Sequence, residues 1–307
     1  MEAYNIMLAD SAAISLAFAL FLLVGPTAGY AIGWLTDVLA FRSRGPQFRL
    51  AASVPLSVAV LPILGYTLGS LFPPPVAWAL FGVPSAAGLA LMARDWWSAA
   101  PGRWQVWRGL TPFLALLGLW LLIAFCALVD LPFGQRLYYS TTAYDHSVRT
   151  AITSAIHTYG LPAQNPFYFP GHPVALRYHY FWMIPCAFIQ RLGAPWVDAR
   201  SAFTAGTMYC GIAMICLVPL YLRLFSANGA VALRRRSLTA ICLLGVTGLD
   251  LLPATWMLWL ERRGSMRGIS PSVEWWNDQV DGWVYTMLWE AHYMCSLVGC
   301  LLGFLVL

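Results

Sequence analysis

The chain has 307 residues, 60% of them hydrophobic and only 10% charged, with a mean hydropathy of +0.66. A soluble domain carries about a quarter charged residues, so the composition excludes a soluble fold and implies an integral membrane protein. All 18 basic residues are arginine, which excludes a Schiff-base or Walker-type lysine, and they are scattered between apolar runs rather than gathered into a nucleic-acid surface.

The apolar runs are continuous rather than alternating, which predicts an all-α, polytopic chain and not a barrel. The first span runs from about Ser11 to Trp34. Glu2 and Asp10 precede it with no basic n-region, so it is expected to be a retained span and not a cleaved signal. A basic loop with Arg42, Arg44 and Arg49 follows, then a span from Leu50 to Leu71, the turn Phe72 to Pro75, and a span from Val76 to Met92. A second basic loop carries Arg94, Arg103 and Arg108, flanked by Trp96, Trp97, Trp104 and Trp107 at the place of an interfacial aromatic belt. Both loops are expected on the cytoplasmic side. Leu110 to Val129 then leads outward.

Residues 138 to 192 form a polar and aromatic island holding four of the five histidines (His146, His157, His172, His179), with Asp145, Arg149 and Arg177. Residues 140 to 160 read as one amphipathic helix lying on the membrane, with Val148, Ile152, Ala155, Ile156 and Tyr159 at helical spacing. Thr142 and Asp145 resemble a capping box, and Gly160 with Pro162 ends the helix. Residues 174 to 192 are apolar enough to suggest a crossing, but a crossing there would place Arg234, Arg235 and Arg236 outside. A short interfacial helix is therefore expected.

A span from Ser201 to Leu224 follows, and another from Leu238 to about Leu258 carries Asp250, a costly residue unless paired or facing a polar cavity. The outer loop from about Trp259 to Gly282 holds Arg262 and Arg263. A last helix starts near Trp283 with the run WEAHYM and contains His292. The expectation is about seven spans in one membrane domain: four before residue 130, an outer loop over 131–200, and three over 201–307. Because the chain stops at Leu307 inside an apolar run, it is expected to be a piece of a longer protein. The seven cysteines show no CxxC pair or zinc spacing and read as small core residues.

The chemistry of the island has two readings. Asp145 either caps its helix and pairs with Arg149 one turn on, for a few tenths of a kcal/mol, or acts at the outer membrane surface as a general base or cation ligand. Arg149, Arg177, Arg262 and Arg263 are candidate phosphate partners, since a guanidinium fork matches phosphate geometry. Tyr178, His172, His179 and His292 are candidate substrate contacts, and Asp250 with His292 lies near the outer ends of spans flanking one loop.

The order YDHSVRTAITSAIHTYG, LPAQNPFYFPGHP, LRYHYFWMIPCAFIQRLG and a span opening DARSAFTAG resembles the first outer loop of GT-C fold membrane glycosyltransferases. That superfamily includes the protein O-mannosyltransferases and the lipid A aminoarabinose transferase. The resemblance covers about residues 138 to 224. It implies that Asp145 is a catalytic base or a ligand of a divalent cation such as Mg or Mn, and that a polyprenyl-linked sugar donor meets a glycan, lipid or protein acceptor at the outer face of a bacterial-type inner membrane. Many members place two acids side by side, whereas here His146 follows Asp145, so base and cation ligand both stay open. Four spans precede the loop where the familiar members have one. From another class, a transporter or flippase for a lipid-linked or anionic substrate would place Asp250, Arg177 and His179 in its pathway, although paired half-sequences are absent. A scaffold whose outer loop docks a partner is the third alternative.

Overall fold

A computed structural model of the chain describes residues 2–97, 111–133, 136–138, 140–168, 171–225, 230–245 and 283–307, together with residues 256, 259, 260, 262 and 263. The described chain is almost wholly helical. Its helices are α1 (Glu2–Thr36), α2 (Pro46–Leu71), α3 (Pro74–Trp97), α4 (Thr111–Leu128), α5 (His146–Tyr159), α6 (Met183–Gly193), α7 (Ala199–Phe225), α8 (Ala230–Gly245), α9 (Trp283–Trp289) and α10 (Ala291–Val306). One antiparallel hairpin pairs β1 (Leu131–Phe133) with β2 (Arg136–Tyr138).

Among the described residues, four helices are long and apolar enough to cross a membrane: α1, α2, α3 and α7. Two shorter apolar stretches, Pro112–Leu128 and Ala291–Val306, accompany them. The first three long helices outrun their expected limits, because the polar residues flanking each apolar run continue the helix. Pro74 and Pro75 open α3 instead of completing the turn, a first-turn position where proline loses no hydrogen bond.

Helix α7 is the centre of the bundle. It is buried without a break from Ser201 to Ala213, as a helix that is apolar or small on every side must be. Its neighbours are tied to it by side chains: Trp120 Nε1 of α4 donates to the Met208 carbonyl at 2.9 Å, and Ser57 of α2 shares a 2.7 Å hydrogen bond with Tyr209. Tyr221 donates to the Leu301 carbonyl of α10 at 2.6 Å.

The two ends of the bundle differ in charge. At one end Tyr30 of α1 and Arg49 of α2 both bond Asp95 of α3, with Arg42, Arg44 and Arg94 exposed around them. At the opposite end Arg200, opening α7, bridges Asp10 of α1 at 3.3 Å and Asp130 beyond α4 at 3.0 Å. The first three helices therefore alternate in direction, as the charge pattern requires. Arg49 is more than a loop charge: it also donates to the carbonyls of Arg42 and Arg44 and so closes the turn before α2.

Several expectations are corrected. Within residues 174–192 the short, non-crossing helix is found, but it is more buried than a surface helix: α6 has 11 residues, about 17 Å of helix and too short to cross, and Met183 to Ile189 are all buried against the bundle. Phe188 packs on Phe81 and Trp78 of α3, with ring centroids 4.8 and 6.0 Å away, so α6 plugs the bundle from the Arg200 end. Arg234, Arg235 and Arg236 lie inside α8 rather than in a loop before it. The helix expected from Trp283 is broken at Glu290 into α9 and α10. Of the cysteines, Cys186, Cys210 and Cys295 are buried but Cys126, Cys242 and Cys300 are exposed. Arg103, Arg108, Trp104, Trp107 and Asp250 lie outside the described residues.

Helix α1 crosses its neighbours with backbones nearly in contact. A Cβ on Gly29 would lie 1.8 Å from the Ser53 carbonyl oxygen of α2, and one on Gly88 of α3 would lie 1.7 Å from that of Thr27. These obstacles are main chain and cannot rotate aside, which is the small-residue packing of membrane helices. Gly88→Ala is expected to lower stability by about 1–3 kcal/mol or more through overpacking. Gly118→Ala, where nothing lies within 4 Å of the added carbon, should leave it unchanged or slightly raised. Thermal unfolding of the detergent-purified chain checks both.

Candidate functional site

Helix α5 lies on α6 and α7, burying Ile152, Ala155 and Ile156, while Tyr159 is exposed and does not belong to the apolar face. Gly160, at φ +79°, ends it as expected, and its N–H donates to the Ile156 carbonyl at 2.9 Å. The start differs. A 3-10 turn covers Thr141–Ala143, the Thr142 hydroxyl bonds Ser140, and Asp145 sits before the helix without capping it through its side chain. The carboxylate is turned elsewhere: its Oδ2 accepts a hydrogen bond from Trp289 Nε1 at 3.0 Å.

That contact belongs to a cluster built from α5 and the break between α9 and α10. Glu290 has extended rather than helical φ (−128°), which ends α9 and directs its side chain to Arg149 of α5. The Arg149–Glu290 ion pair is buried on both sides, the residues being 2% and 6% exposed. Asp145 Oδ2 stands 3.7 Å from Arg149 Nη1 with about a third of its side chain exposed, so Asp145 forms the mouth of the cluster and Arg149 its floor.

A broken helix leaves carbonyls without their usual partners. The Leu288 carbonyl is taken by His146 Nε2 at 2.7 Å, so that nitrogen carries the proton and donates. Burial lowers the His146 pKa to about 4, which keeps the ring neutral, and its edge meets the Phe203 ring of α7. His292, at the first turn of α10, lies with Nε2 3.1 Å from Glu290 Oε2.

The rings of Tyr178, His179 and His292 stack in series over this point, and Tyr293 continues the row at a tilt. Tyr178 and His179 are 3.9 Å apart, His179 and His292 4.4 Å, and His292 and Tyr293 4.3 Å. Loss of hydration, with the Arg149 charge acting in the same direction, holds the His179 pKa below the ordinary imidazole value.

The structure thus gathers Asp145, Arg149, Tyr178, His179 and His292 of the expected residues. It does not gather the others equally. Residues 163 to 176 turn back on themselves through Asn165 N to the Val174 carbonyl and Leu176 N to the Ala163 carbonyl, both 2.8 Å, which sets His172 near the exposed tip. Arg177 is exposed just past the base of that turn. Arg262 and Arg263 are exposed, and Arg263 lies 3.9 Å over the ring of Trp259. Asp250 is outside the described residues.

Glu290, Trp289, His146 and Tyr293 are the residues that sequence reasoning did not select. A signal for Glu290 existed: a carboxylate inside an apolar run is costly unless paired, the same reasoning that selected Asp250. Among the described residues no three His, Cys, Asp or Glu side chains are placed to hold a metal ion, and Asp145 already faces a guanidinium. Among the described residues, the donor set around Asp145 does not by itself make a divalent-cation site.

The chain matches no family model, no curated protein and no solved structure.

The buried neutral histidine gives a pH dependence with a definite sign. His146 titrates near 6.5 when unfolded and about 4 when folded, so below pH 6.5 the unfolded chain binds more protons and stability falls as pH drops toward 4. The loss from this residue should reach about 3 kcal/mol. His146→Gln, which keeps a donor to the Leu288 carbonyl, is expected to flatten the slope of unfolding stability between pH 4 and 6.5.

Proposed function

We propose that this chain forms a glycosyltransferase of the GT-C type, moving a sugar from a polyprenyl-phosphate-linked donor to a glycan, lipid or protein acceptor at the outer face of a bacterial-type inner membrane. The observation that carries the reading is the convergence of Asp145, Arg149, His179 and His292 at the end of the bundle opposite the exposed arginines. By the positive-inside rule that end faces outward. Seven crossings complete the proposed topology: the four long helices, α4, the span expected from Leu238 to about Leu258, and α10.

In this reaction Asp145, the more exposed carboxylate, takes the proton of the acceptor hydroxyl as its oxygen bonds the anomeric carbon. The bond from that carbon to the phosphate oxygen breaks, and its electron pair leaves on the polyprenyl phosphate. A guanidinium held in a site shielded from water stabilises that charge better than one in water. Arg149 is such a group.

Transfer from lipid-linked donors by the purified full-length protein tests this. Asp145→Asn is expected to lower the rate 100-fold or more, the usual contribution of a positioned base being about 10²–10⁴. Transfer at the wild-type rate would remove the catalytic assignment. Gradient-dependent movement of the donor with no covalent product would favour a transporter instead.

A further inference from the structure

The Arg149 guanidinium has five N–H donors, yet only Nη2 is used, in the bond to Glu290. Its Nε and Nη1 are buried and bond no acceptor among the described residues. Around it, His146 Nδ1 and both ring nitrogens of His292 are buried and likewise without hydrogen-bond partners there. A nine-tenths-buried cation with two idle donors, next to two imidazoles with idle nitrogens, is poorly satisfied by one hydrogen-bonded carboxylate and a second, Asp145, standing off at 3.7 Å. It is well matched to an anion with several oxygens, because a guanidinium fork binds phosphate through two parallel hydrogen bonds.

We propose that Glu290 is an exchangeable counter-ion, holding Arg149 in the empty protein and giving it up to the phosphate group of a bound substrate. Two features make the exchange feasible. The swap replaces one anion on Arg149 by another, so the buried guanidinium is never left uncompensated, the event that makes breaking a buried pair costly. The displaced carboxylate also has somewhere to go, since its Oε2 already lies 3.1 Å from His292 Nε2, which can donate to it once the carboxylate turns and the ring is in the neutral Nε2–H tautomer. Glu290 sits at the break between α9 and α10 with its N–H and carbonyl already bonded to Thr286 and Tyr293, so the exchange needs only its side chain to move. The mouth for entry is the side of Asp145 and Tyr178, both partly exposed.

The inference rests on the reading of this site as one for a phosphate-linked donor, but it concerns binding alone. A failed transfer assay would leave it standing, and a failed binding assay would leave Asp145 as base untouched. Farnesyl phosphate and inorganic pyrophosphate are titrated against the detergent-purified full chain, with no acceptor present. Response to farnesyl phosphate assigns a lipid-linked ligand, and response to pyrophosphate alone assigns a free one.

Removing the internal competitor should tighten binding. Glu290→Gln is expected to bind the responding probe about tenfold more tightly than wild type, the factor that 1.4 kcal/mol represents, and Arg149→Gln should lose binding. Glu290→Asp, whose carboxylate is withdrawn by one methylene, should also bind more tightly and serves where the glutamine variant accumulates poorly. A structural salt bridge would instead weaken binding in every variant. Equal or weaker binding by both Glu290 variants, retained binding by Arg149→Gln, no response of wild type and Glu290 variants to either probe, or failure of both Glu290 variants to fold would overturn the proposal.

Discussion

The Arg149–Glu290 ion pair joins the amphipathic helix α5 to the break between α9 and α10. A charge taken out of water costs several kcal/mol unless it is paired and hydrogen-bonded, so the pair fixes both elements at once. Arg149 cannot stay buried under α5 unless a carboxylate reaches it, and Glu290 reaches it only because α9 ends and α10 begins there. The break then frees the Leu288 carbonyl that His146 occupies, and it places Trp289 against Asp145. Each contact of the cluster follows from the same interruption of a helix that could have run on.

This constraint acts on a support that is itself rigid. Helix α7, buried on all sides in its first half, presents Phe203 to His146 and anchors α10 through Tyr221. Helix α6 fills the space that would otherwise lie open between α3, α5 and α7. The site is therefore assembled where regular structure stops, on elements whose other faces are closed by packing, an arrangement also seen where broken membrane helices line a binding site.

Much of this was legible in the sequence because the forces behind it are local. Hydropathy marks α1, α2, α3 and α7, glycine at a positive φ marks the end of α5, and arginine asymmetry separates the two ends of the bundle. The island around Asp145 and Arg149 was visible as polarity in an apolar chain. What was not legible depends on distant partners. Asp145 looks like a cap until Trp289, 144 residues later, claims its carboxylate. For residues 183–193 the pattern marks a short helix that does not cross, but not how many neighbours bury it. Glu290 hides inside WEAHYM, since nothing within one turn of it explains why the chain should break there. Arg149 was read as a phosphate partner without the carboxylate that holds it.

The account depends most on the coupling between Arg149 and Glu290, and a double-mutant cycle measures it. Unfolding of Arg149→Gln, Glu290→Gln and the double variant is compared with wild type under one detergent condition. Each single substitution strands a buried charge and is expected to cost about 3 kcal/mol, while the double variant should lose little more than either one, giving a coupling of about 2 kcal/mol or more. Additive losses, with no coupling, would contradict the account.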